Sequence, residues 1–86
     1  MKTKNEIINF IGAVIYEISL YQITPDQVTP ETKIIQDLGL DSMDYATVML
    51  RVEQWLDVKV PEDKINWAEI QTVEQLVIVF ESTLSV

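Results

Sequence analysis

The segment DLGLDSMDY, Asp37 to Tyr45, decides how this chain is read. Ahead of it, from Tyr21 onward, apolar residues keep no period, and Pro25 and Pro30 each follow a Thr, which favours extended or turn backbone. Behind it, apolar residues return at helical spacing. Asp41 suits a helix N-cap, and Asp44 places a carboxylate against the positive end of the helix dipole. A helix is therefore expected from Asp41 or Ser42 to about Asp57. Both acids have a structural task in that reading; Ser42 has none.

Working outward, Ile7, Phe10, Ile11, Val14, Ile15 and Ile18 fall at the i, i+3, i+4, i+7 positions of an amphipathic helix over Asn5 to Leu20. The connection from Tyr21 to Asp41 is long, and its Ile23, Val28, Ile34, Ile35 and Leu38 are expected to plug into the bundle. Pro61 followed by Glu62 and Asp63 starts a short helix, with Pro at the tolerated first position. Thr72-Val73-Glu74-Gln75 is a capping-box pattern opening a last helix with Val73, Leu76, Val77, Phe80 and Leu84 on one face. The expected fold is all-α: one domain, residues 1–86, a small four-helix bundle of three main helices plus a short third, with a long loop between the first two.

Composition narrows the chemistry. The chain has 86 residues, no Cys and no His, so it offers no thiol nucleophile, no disulfide, no imidazole base and no imidazole or thiolate metal ligand. Six basic against fourteen acidic residues leave a net charge of −8, which disfavours nucleic acid and anionic membranes and favours a basic protein surface. The longest apolar run, Val77 to Phe80, is far too short for a membrane span, and the N-terminal residues do not read as a signal peptide. A cytoplasmic monomer is expected.

The helix after Asp41 carries two apolar stripes. Tyr45, Val48, Met49, Val52 and Leu56 form an arc assigned to the core. Met43, Ala46 and Leu50 form a second line that runs onto Glu53 and Asp57. An exposed apolar line edged by acids suits a partner with an apolar pocket and a basic rim. Alternatively the loop or the short helix covers it; periodicity alone weighs the two equally. Trp55 lies at the edge of the core arc, and an isolated Trp67 is expected to pack.

Ser42 is no catalyst here: a hydroxyl is a poor nucleophile without a neighbouring base, and the nearest Lys in sequence is Lys33. The acid pairs Asp41/Asp44 and Glu62/Asp63 stand where helix starts place acids anyway. Modification by another enzyme asks less. The free N–H groups at a helix start favour a phosphate on the Ser oxygen. DLGLDSMD resembles the phosphopantetheine attachment motif of acyl carrier proteins, Asp-Leu-Gly-x-Asp-Ser-Leu-Asp. VTPETKIIQDLGLDS, VPED and TVEQLV resemble, in order, that family's loop, short third helix and last helix.

The resemblance implies a carrier, not an enzyme, with no catalytic or metal residue and with 4′-phosphopantetheine esterified to Ser42. The imported thiol would hold an acyl group as a thioester, which answers how a chain without Cys handles acyl groups. It implies as partners a phosphopantetheinyl transferase, an acyl-loading ligase or acyltransferase, and a ketosynthase or other acyl-transfer enzymes with basic docking patches. Asp41, Met43, Asp44, Ala46, Leu50 and Glu53 would form the docking surface. Thr47 and Gln54 stand where fatty-acid carriers usually place carboxylates, Arg51 adds a positive charge, and the segment from Pro61 to Thr72 is longer than usual. These departures favour a specialised, polyketide-like pathway over fatty-acid synthesis. Gly39-Leu40-Asp41-Ser42, lacking the Gly-Gly-Asp/His-Ser of peptidyl carriers, favours an acyl over an aminoacyl or peptidyl cargo. A bundle that only docks, with Ser42 unmodified, is the alternative from another class.

Overall fold

The computed structural model describes residues 2–84. It contains three helices, α1 (Lys4–Ile18), α2 (Ser42–Leu56) and α3 (Val73–Leu84), and no strand among the described residues. Their facing stripes meet in one core. Ile7, Ile11, Ile15, Ile34, Val48, Val52, Val73, Leu76, Val77 and Phe80 are fully shielded from solvent. Each such side chain contributes roughly 1.5–3 kcal/mol through apolar burial.

α1 begins at a capping box: the Glu6 N–H donates to Thr3 Oγ1 at 3.2 Å, and the Thr3 N–H donates to Glu6 Oε1 at 3.1 Å. The Thr3 N–H, and after it the Thr3 side chain, stabilise the ionised Glu6 carboxylate and hold its pKa below its ordinary value. α1 lies antiparallel to α2. Phe10 stacks on Trp55 with ring centroids 4.2 Å apart, and further up α1 the Glu17 carboxylate accepts from Arg51 at 2.8 Å, one turn back along α2. The end of α1 thus returns toward the end of α2 that bears Ser42.

The turn closing α1 is a Schellman motif built without glycine. The Tyr21 N–H donates to the Tyr16 carbonyl at 2.8 Å and the Leu20 N–H to the Glu17 carbonyl at 3.2 Å. Leu20 and Tyr21 both take left-handed backbone, with φ of 57° and 69°. That conformation costs a side-chain-bearing residue roughly 1–2 kcal/mol.

The long loop between α1 and α2 is fastened at several points. Pro25 packs on Gly12, where an added Cβ would stand 3.4 Å from it. The loop then reaches the start of α3, where the first N–H groups of the helix need partners. Val73 N–H donates to the Thr32 carbonyl at 2.9 Å, Glu74 N–H to the Pro30 carbonyl at 2.9 Å, and Ile34 N–H to the Gln71 carbonyl at 3.0 Å. The only extended pairing among the described residues, Lys33 with Thr72, belongs to this splice. Val28, Ile34 and Leu40 enter the core, with Ile23 and Leu38 packed against it. Ile35, expected to plug in, is instead 49% exposed, because Ile34 takes the inward position of that turn.

The short helix expected from Pro61 is two separate 3₁₀ turns, Glu62–Lys64 and Trp67–Glu69. Asn66 interrupts them: its side-chain oxygen accepts from the Ala68 N–H at 3.2 Å and starts a new turn. α3 opens with the capping box its sequence spells, Thr72 and Gln75 exchanging bonds at 3.0 and 3.2 Å.

Candidate functional site

The start of α2 is built by two aspartates. Asp41 is the N-cap, its Oδ1 accepting from the Asp44 N–H at 2.8 Å, while Asp44 Oδ2 reaches back to the Asp41 N–H at 3.4 Å. Gly39 turns the loop into this cap with a left-handed φ of 69°. A Cβ there would meet nothing within 4 Å, so glycine is required by backbone conformation and not by space.

Ser42 is the first residue inside the helix and is exposed. Its hydroxyl makes no hydrogen bond among the described residues, and neither its N–H nor that of Met43 has an acceptor there. A phosphodiester on Ser42 Oγ would face two unengaged N–H groups at the positive end of the helix dipole. The neighbouring carboxylates are turned to their capping bonds. The residues present fit a covalently attached phosphorylated arm.

The second apolar stripe is open. Met43 is 78% exposed and Leu50 55%, with Ala46 exposed between them; neither the loop nor the 3₁₀ turns cover it. Glu53 departs from the expectation of free exposure. It is half-buried, and its Oε2 accepts from the Val60 N–H at 2.8 Å, fastening the chain that leaves α2. Arg51 is paired with Glu17 at 2.8 Å, so its positive charge is largely compensated.

Sequence reasoning missed the cleft beside this stripe. A hollow of about 200 Å³ lies between α2 and the second 3₁₀ turn, lined by Tyr45, Ala46, Met49, Leu50, Glu53 and Trp67. Tyr45 and Ala46 stand one turn from Ser42, so the hollow opens on its side of the helix. Trp67 meets Tyr45 edge to face, ring centroids 6.2 Å apart, and forms the far wall while half-buried. Burial pushes the Tyr45 phenol pKa up to about 12. An isolated Trp gave no spacing signal to place it there, since Trp67 is brought in by the Asn66 turn. A second hollow of about 420 Å³ continues along α2 from Leu50 and Glu53 to Lys59.

The family model described as "Phosphopantetheine attachment site" matches residues 18–79. The acyl carrier protein of Chlorobium phaeobacteroides is 34% identical over 60 residues, 70% of this chain and 74% of that protein. The acyl carrier protein of Amoebophilus asiaticus is 36% identical over 63 residues, 73% of this chain and 76% of its own length. The meromycolate extension acyl carrier protein of Mycobacterium leprae is 32% identical over 75 residues, 87% of this chain and 62% of that protein. No helix among the described residues is long and apolar enough to cross a membrane. The chain belongs to the acyl carrier protein family, whose members carry acyl groups on covalently attached 4′-phosphopantetheine and are not catalysts.

Proposed function

We propose that Ser42 is the attachment residue and that the chain presents its cargo through the exposed stripe of α2. The observation that carries this reading is Ser42 itself: an exposed hydroxyl without partners among the described residues, at the first position of a capped helix. The prosthetic group supplies a terminal thiol on which an acyl group is held as a thioester. The chain's own residues supply the rest. Asp41 and Asp44 fix the helix start, the N–H groups of Ser42 and Met43 face the added phosphate, and Met43, Ala46 and Leu50 offer apolar contact to a partner. Asp41, Asp44 and Glu53 give that contact an acidic edge. The hollow between Ala46 and Trp67 offers the arm a partly dry resting place.

A phosphopantetheinyl transferase would act on Ser42, and an acyl-loading ligase or acyltransferase and a ketosynthase or similar enzyme would meet the same face with basic patches. The protein would work as a monomer in the cytoplasm. The substitution of carboxylates by Thr47 and Gln54 supports a specialised, polyketide-like pathway over general fatty-acid synthesis; Arg51, its charge compensated by Glu17, adds nothing to that choice. Labelling with coenzyme A and a broad-specificity transferase, followed by peptide fragmentation, should place the group on Ser42; a label on another hydroxyl would contradict the assignment. Turnover by fatty-acid synthase enzymes equal to that of their native carrier would remove the specialised-pathway reading.

A further inference from the structure

We infer that the turn closing α1 is a second docking surface, occupied by the phosphopantetheinyl transferase when it acts on Ser42; this rests on the attachment reading above. Leu20 is 77% exposed and Tyr21 67%, the largest exposures after Met43 among the large apolar side chains of the described residues, and both sit in left-handed backbone. A Schellman turn needs one such residue, and glycine supplies it without strain. Here two consecutive side-chain-bearing residues adopt it. The ring of Tyr21 leans on Tyr16 with centroids 5.1 Å apart, which holds Tyr21 in place; Leu20 extends into solvent. Backbone strain that displays apolar side chains, and adds nothing to the core, points to a use outside the fold.

Position and charge select the occupant. Glu17, in the last turn of α1, is bonded to Arg51 of α2. Arg51 lies nine residues from Ser42, about 13 Å along the helix, and α1 ends one residue beyond Glu17, at Ile18, on the side nearer Ser42. One side of an ordinary interface, about 800 Å², spans the turn and the start of α2 together. A second copy of the chain would bring a net charge of −8 against −8. A partner with an apolar pocket and a basic rim matches Leu20 and Tyr21 together with the separate acidic start of α2 at Asp41 and Asp44. Among partners of a carrier, the transferase must reach the Ser42 hydroxyl itself, so its footprint centres on the start of α2. Enzymes acting at the far end of the arm need not come so close.

The test is the transfer reaction on the full chain, followed by intact mass, with Leu20→Gly and Tyr21→Gly made singly and together. Leu20→Gly should melt at or above the wild-type temperature, since glycine relieves the strain. The double variant should raise KM for the carrier about tenfold with kcat within about twofold, the pattern of a lost binding contact. Leu20→Met with Tyr21→Phe should restore KM. An unchanged KM in a folded double variant overturns the proposal. Should that variant fail to fold, Ser42→Ala is mixed with the transferase and coenzyme A and amide exchange is followed. Slowed exchange across residues 19–22 supports the surface; slowing confined to α2 and the Trp67 turn overturns it. A wild-type chain that gains no mass overturns the Ser42 reading instead, and that result needs no variant to be seen.

Discussion

Asp41 carries two roles that can be separated. As N-cap it satisfies the Asp44 N–H at 2.8 Å, and its charge also edges the surface around Ser42. Asp41→Ala should lower stability by about 1 kcal/mol, a fall in melting temperature of roughly 4–8 °C in a domain of this size. Asp41→Asn keeps the cap and should melt close to wild type; thermal circular dichroism distinguishes the two. Tyr45 makes a second residue-scale prediction. Its phenol ionises near 10.0 when free and near 12 in the fold, because burial disfavours the phenolate. Between those values the unfolded chain releases a proton that the folded chain retains, so stability is full below pH 10 and falls as pH rises toward 12. Tyr45→Phe should abolish that part of the alkaline loss, measured as the urea midpoint against pH.

At the scale of elements, α2 divides into a core arc and an open stripe, and substitutions on the two should part company. Leu50→Asp should stay within about 0.5 kcal/mol of wild type and slow transfer to partner enzymes. Leu76→Ala, in the shielded core of α3, should cost about 2–5 kcal/mol, read from urea unfolding. Glu53→Lys tests docking poorly, since it leaves the shielded Val60 N–H without its acceptor at about 1–3 kcal/mol; Glu53→Gln retains an acceptor. α2 and α3 were legible because each joins a strong period to a cap, Asp41 with Asp44 and Thr72 with Gln75, and α1 was legible from its period alone. Non-periodic stretches were not. Ile34 and Ile35 are adjacent and equally apolar, and which one turns inward depends on the splice of Ile34 N–H to the Gln71 carbonyl at 3.0 Å. The division of residues 61–72 into two 3₁₀ turns rests on a local Asn66 bond. Ser42 stood out in the sequence as a residue without a structural task, whereas the cleft beside it needed Trp67, which no period places there.

At the scale of the whole molecule, an acidic chain with an exposed apolar stripe is suited to meet basic partners quickly and release them. Association with such a partner should therefore weaken steeply between low and physiological salt, while intrinsic stability, set by an apolar core, changes little. Stopped-flow association rates at two ionic strengths would show this, and rates independent of salt would remove the electrostatic part of the docking account. The central claim is that a chain without any thiol acquires one at Ser42. Its most direct test is intact mass after incubation with coenzyme A and a broad-specificity phosphopantetheinyl transferase, for wild type and Ser42→Ala side by side. The account predicts one added phosphopantetheine in the wild type and none in the variant; an unmodified wild type, or a gain that survives in Ser42→Ala, would contradict it.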